Sequence, residues 1–129
     1  MLFRSPAMIE AGNGGAIIVV SSSAGLKATP GNGHYSASKS GLIGLTRSLA
    51  WELGRARITA NAVLPGLIET EMIAGLSDRR RDQVVSQTPL RRTGTPEEVA
   101  ALVGFLISDE AAFITGASIP IGGGIGMGL

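Results

Sequence analysis

The only tyrosine of this chain, Tyr35, stands four residues before Lys39, one of only two lysines. Within a helix that spacing puts both side chains on one face, one turn apart. A free phenol ionises near pH 10, so bringing one to neutrality takes roughly three pH units, or about 4 kcal/mol. A nearby ammonium favours the phenolate and supplies part of that. The pair therefore suits acid–base work. Thirteen residues upstream, Ser22 lies in the run Ser21-Ser22-Ser23-Ala24-Gly25, directly after a strand-like segment. Ligands of open α/β sheets collect outside the carboxyl ends of strands. A hydroxyl, a phenol and an ammonium there could converge on one substrate oxygen. On spacing alone a simpler reading stands beside this one: Tyr35 packs, Lys39 is solvated, and Ser22 makes a turn or caps the next helix.

The elements that must position these residues alternate between two periods. Ala16 to Val20 is a short β-branched run between glycines and serines, and reads as a strand buried on both faces. From about Tyr35 to Leu53 the period becomes helical, with Leu42, Leu45, Leu49 and Leu53 as the stripe and Gly54 as the stop. Ile58 to Leu64 is again strand-like and ends at Pro65-Gly66. Thr95, Pro96 and Glu98 form a T-x-x-E start for a further helix, whose inward face is Val99, Leu102, Val103, Leu106 and Ile107. A last strand spans Ala117 to Ile121. The segment from Thr70 to Arg92 reads as an exposed helix or lid. Three strands separated by helices predict an α/β fold of parallel units with right-handed crossovers.

Composition bounds the function. The 129 residues suffice for one domain, with 44% hydrophobic and 16% charged residues, as in globular proteins. Eleven basic and ten acidic residues nearly cancel, which offers no case for nucleic acid or an anionic membrane as partner. Cysteine is absent, which excludes disulfides, zinc–thiolate sites and a cysteine nucleophile. Met1 to Gly12 has no signal-peptide pattern, and the longest apolar stretch, Ala100 to Ile107, is far short of a membrane span. A cytoplasmic location is expected. Glycine is abundant, at 19 residues, and points to tight turns or close backbone approach.

The run Y-S-A-S-K-S-G-L-I-G-L-T-R-S-L-A-W-E-L-G, from Tyr35 to Gly54, together with its spacing from Ser22, resembles the short-chain dehydrogenase/reductase family. It is most similar to the 3-oxoacyl-acyl carrier protein reductase branch and related alcohol dehydrogenases. Asn61 to Thr70, Thr95 to Ala100, Phe105 to Glu110 and Ile114-Thr115-Gly116 follow in the family's order. The resemblance implies hydride transfer between NAD or NADP and a carbonyl or secondary alcohol. It implies that Ser22 steadies charge on the substrate oxygen, that Tyr35 is the general acid or base, and that Lys39 serves both the tyrosine and the nicotinamide ribose. Pro65 and Gly66 would shape the nicotinamide loop, Ile68 would offer backbone groups to the carboxamide, and Thr70 a hydroxyl. Residues 70–92 would be the substrate lid, and the chain would form homo-oligomers, usually tetramers.

The chain also departs from the family's pattern. Members begin with a strand and a glycine-rich turn that holds the pyrophosphate at a helix N-terminus, and nothing before Ala16 resembles that. Gly122 to Gly128 fits the G-x-x-x-G-x-G spacing, but only Leu129 follows, which leaves no helix to face a phosphate. Leu2 to Gly12 reads as the end of a helix. The expectation is therefore a single partial domain over 1–129: the C-terminal half of a Rossmann-like, doubly wound parallel sheet, with the dinucleotide-binding N-terminal half missing. Two functions follow, an oxidoreductase or an inactive remnant that pairs with itself or another subunit. His34 is read as a rim residue, Lys27 as surface, and Arg79-Arg80-Arg81 as a solvated helix face rather than a dock for an anionic substrate carrier.

Overall fold

The computed structural model describes residues 5–27 and 29–128. Helix α1 spans Ser5–Ala11, and the expected helix portion from Leu2 to Arg4 lies outside the described residues. Strand β1 spans Gly15–Val20, helix α2 Gly33–Leu53, and strand β2 Ile58–Pro65. Two short helices follow, α3 over Glu71–Ala74 and α4 over Asp78–Gln87. Helix α5 spans Pro96–Leu106 and strand β3 Ser118–Ile121. The three strands form one parallel sheet in the order β1-β2-β3. This is the expected partial α/β architecture.

The sheet carries a helical layer on each face. Even-numbered residues of β2 (Ile58, Ala60, Ala62 and Leu64) pack with Ile43, Leu49 and Leu53 of α2. On the opposite face Val63 packs with Leu106 of α5 and with Ala111. A strand sandwiched in this way must be apolar on both sides, and Ile58 to Leu64 meets that requirement except at Thr59 and Asn61. The fully buried Asn61 satisfies its amide: its Nδ2 donates to the Ile114 carbonyl at 2.8 Å, and its Oδ1 accepts from Ala117 N–H at 3.1 Å. It thereby pins the turn that feeds β3.

Three expectations need correction. β1 is half-buried rather than buried on both faces, with Val20 52% exposed, because it pairs on one side only among the described residues. β2 takes the buried role. On α2 the inward face is Ile43, Thr46, Leu49 and Leu53, while Leu45 is exposed. The helix has apolar residues nearly all round, so its sequence contains two leucine-compatible stripes, and contact with β2 selects one. On α5 the capping box forms as expected, but Ile107 lies past the last turn and is exposed.

The capping carboxylate of α5 is doubly engaged. Glu98 accepts from Thr95 N–H at 2.9 Å, and Arg92 reaches both of its oxygens, at 2.9 and 2.5 Å. The Arg92 guanidinium, followed by the Thr95 N–H, pulls the Glu98 carboxyl down from 4.5 to about 2. A carboxyl more acidic in the folded than in the unfolded chain adds stability that is complete above pH 4.5 and lost as pH falls through about 2. Melting curves followed by circular dichroism between pH 6 and pH 2 should show a shallower acid decline for Glu98→Gln than for the unmodified chain. Parallel declines would remove Glu98 from the acid response.

Candidate active site

In a parallel sheet all carboxyl ends lie on one side, and the register pairs Val20 with Val63 and Pro65 with Ile121. Ser21-Ser22, Gly66 to Thr70 and the Gly122 turn therefore emerge at the same end of the sheet. Tyr35 and Lys39 reach that end because α2 begins beside the end of β1. Two hydroxyls fasten the helix there: Ser21 Oγ donates to the Lys39 carbonyl at 2.8 Å, and Ser40 Oγ donates to the Gly25 carbonyl at 2.7 Å. Gly25 permits this closeness, since a Cβ there would come within 3.0 Å of the Lys39 backbone.

The ammonium of Lys39 lies 5.6 Å from the centre of the Tyr35 ring and donates to the carbonyl of Val20, the last residue of β1, at 3.3 Å. An ammonium has three donors, which leaves capacity for a further acceptor. Ser22 stands in extended backbone before the 3-10 turn Ser23–Gly25, and its Oγ accepts from Ala24 N–H at 3.1 Å. Serine here caps a turn, as the simpler reading held, and the cap uses only its oxygen. Its proton stays free to be donated. Capping and chemistry are compatible at this position. Tyr35 is 39% exposed and Lys39 half-buried, so the pair is open to solvent.

Beyond β2 the chain turns at Pro65-Gly66, where Gly66 N–H donates to the Ile121 carbonyl at 3.1 Å. A Cβ on Gly66 would lie 2.8 Å from the Gly122 Cα, so position 66 needs glycine where these loops cross. That crossing gives the C-terminal glycine run a packing role which its spacing did not reveal. Ile68 forms a parallel bridge with Gly94, built from the Leu67 carbonyl, the Glu69 N–H and both backbone groups of Gly94. The N–H and C=O of Ile68 itself face away from Gly94, as this type of bridge requires. Thr70 precedes α3 in extended backbone, is exposed, and makes no side-chain cap bond.

A small cavity of about 130 Å³ is lined by Ile68, Leu90, Thr93, Gly94 and Ile121, and is not lined by Ser22, Tyr35 or Lys39. A larger cleft of about 470 Å³ opens at the opposite end of the sheet, beside Gly14, Arg57 and Ser108. The chemistry-bearing side chains are all at the carboxyl end, so the larger cleft is not the candidate site.

The charged run on α4 is only partly a solvated face. Arg79 and Arg80 are exposed, but the half-buried Arg81 forms an ion pair with Glu69. The Thr93 hydroxyl also donates to Glu69, at 2.5 Å. These two hydrogen bonds, from Thr93 and then Arg81, lower the Glu69 carboxyl below its ordinary range. Neither Glu69 nor Ser21 carries a signal in sequence spacing, since their partners are 12, 24 and 18 residues distant. His34 and Lys27 are exposed, as expected. Among the described residues no cluster of three or more His, Cys, Asp or Glu could hold a metal ion, and no helix is long and apolar enough to cross a membrane.

The donor set fits the nicotinamide–ribose end of a dinucleotide: an ammonium with spare donors, an outward backbone pair at Ile68 and a free hydroxyl at Thr70. It does not fit the pyrophosphate end. Among the described residues the glycine run after β3 continues only as turns, with no helix behind it.

Residues 3–126 match the family model described as enoyl-(acyl carrier protein) reductase. The 3-oxoacyl-[acyl-carrier-protein] reductase of Pseudomonas aeruginosa is 47% identical over 88% of this chain and 46% of its own length. The reductase of the same name from Thermotoga maritima is 47% identical over 93% of this chain and 48% of its own. Among solved structures, the 3-oxoacyl-[acyl-carrier protein] reductase of Brucella melitensis matches with a TM-score of 0.90 and 42% identity, over 95% of this chain and 46% of that one. A 4-hydroxyisoleucine dehydrogenase complexed with NADH matches with a TM-score of 0.85 and 35% identity, over 97% of this chain and 52% of that one. The chain spans about half the length of the curated relatives it matches.

Proposed function

The chain belongs to the short-chain dehydrogenase/reductase family, and from that premise we propose that it carries the acid–base and nicotinamide-binding half of an NAD- or NADP-dependent oxidoreductase. The observation that carries this reading is the position of Lys39, whose ammonium stands beside the Tyr35 ring and at the carboxyl end of β1. When bound, the nicotinamide supplies or accepts the hydride. Tyr35 then gives a proton to, or takes one from, the substrate oxygen. Ser22 keeps its turn with its oxygen and donates its hydrogen to that same substrate oxygen, which steadies charge as it builds. Lys39 uses its spare donors on the ribose hydroxyls while its ammonium stands beside the Tyr35 ring. Ile68 offers its backbone pair and Thr70 its hydroxyl to the carboxamide, with Pro65-Gly66 holding the loop. Residues 70–92 cover the substrate. The substrate is a carbonyl or secondary alcohol, and the relatives' names make 3-oxoacyl chains the class to try first.

These roles can be tested in a chimera that joins this chain to the corresponding other half of the Thermotoga maritima relative. Tyr35→Phe should lower turnover by at least about a hundredfold, the usual scale of a lost general acid, and leave NADH or NADPH affinity within a few-fold. Lys39→Ala should damage both, because one ammonium serves two partners. Near-normal turnover in Tyr35→Phe would refute the assignment. The 129-residue chain by itself should show no saturable oxidation of NADH or NADPH, since no fitted pyrophosphate cradle is found among the described residues; saturable turnover by the pure chain would contradict this.

A second reading, a pairing subunit without activity, is favoured by one observation. β1 has an unpaired edge among the described residues, and Ala16 to Val20 is apolar, uncharged and free of proline. Such an edge is a template for strand addition, and Trp51 and Phe113 add exposed apolar surface. Self-association, in keeping with the family's homo-oligomers, and a cytoplasmic location belong to this proposal. Light scattering at micromolar concentration should find the isolated chain associated, and Ile18→Lys should raise its solubility. A compact 13.2 kDa particle with cooperative melting would show that this part closes its own core.

A further inference from the structure

Helix α4 is held to the rest of the molecule by little apolar contact. It buries no residue, and its inward side is the half-buried set Arg81, Val84 and Val85, spaced by three and then one. Its own side chains mostly serve the helix: Ser77 caps it at Arg80 N–H, Arg80 bonds Gln83, and Ser86 donates to the Gln83 carbonyl. Arg81 does something different. It reaches out of the helix to Glu69, the residue between Ile68 and Thr70 on the loop that follows β2.

Glu69 is in turn fixed from behind. Its N–H donates to the Gly94 carbonyl at 2.9 Å, and its carboxylate also accepts from Thr93 Oγ1 at 2.5 Å. One carboxylate thus joins three segments distant in sequence: the loop after β2, helix α4, and the stretch that leads into α5. Two donors on one acceptor also fix its direction, since an ionised carboxyl accepts but does not donate. We propose that Glu69 is a positioning residue, whose simultaneous hold on Arg81 and Thr93 sets where α4 stands over the loop bearing Ile68 and Thr70. The placement of that loop against the nicotinamide rests on the reading in the preceding section; the tether itself does not.

An exposed ion pair contributes little to global stability, so the effect should be local. Hydrogen–deuterium exchange of the intact 129-residue chain, without cofactor or substrate, reads it directly. Glu69→Ala should speed exchange of the Asp78–Gln87 amides roughly two- to fivefold, the range of a lost exposed ion pair, with the β2 amides unchanged. Arg81→Gln should speed it as well, and the double variant should be no faster than Glu69→Ala alone, because Glu69→Ala already removes the Arg81 contact together with the Thr93 one. Arg81→Lys should keep most of the protection. Unchanged exchange in α4 for either single variant would overturn the proposal, as would additive effects in the double variant or a loss in Arg81→Lys equal to that in Arg81→Gln. If Glu69→Ala fails to fold, Arg81→Gln and Arg81→Lys still decide, since Arg81 lies on the exposed lid helix. The result is independent of turnover, so a failed tether and a failed acid–base assignment are told apart.

Discussion

The hydrogen bond from the Ser21 hydroxyl to the Lys39 carbonyl is the contact on which the candidate site depends. It brings the first turns of α2 down onto the end of β1, and the bond from Ser40 to Gly25 holds them there on the other side. Without these ties the start of α2 would be held over the strand end by apolar packing alone, as through Ile43 with Val19 and Leu26. The bond acts on the backbone of Lys39 and leaves its side chain free. The ammonium can then reach Val20 and the Tyr35 ring.

The other half of the site depends on β2. Its burial between α2 and α5 fixes the strand, and Asn61 transfers that order to β3 by holding both sides of the turn before it. With β2 and β3 in register, the loops after them must cross at Gly66 and Gly122, with no room for a side chain on Gly66. The loop bearing Ile68 and Thr70 is therefore set by core packing. Helix α4 is held differently. It has no fully buried residue, and its Arg81 pairs with Glu69, whose carboxyl the Thr93 and Arg81 hydrogen bonds lower.

The sequence by itself determined the element types and the pairing of Tyr35 with Lys39. Alternation of a β-branched run, a helical stripe and a second apolar run is local information, and so is the capping box at Thr95, which the structure reproduces in full. The four-residue spacing of Tyr35 and Lys39 likewise needs only a helix to become a contact. Tertiary structure decided the matters that local pattern leaves degenerate. α2 is apolar nearly all round, so only contact with β2 could choose Ile43 and Thr46 over Leu45 as its inward face. Two apolar strands look alike in sequence, and sheet order alone made β2 the buried one and β1 an edge among the described residues. Ser21, Asn61 and Glu69 act on partners between 12 and 56 residues away. No periodicity carries such contacts, because they exist only once the sheet and its helices have brought distant segments together.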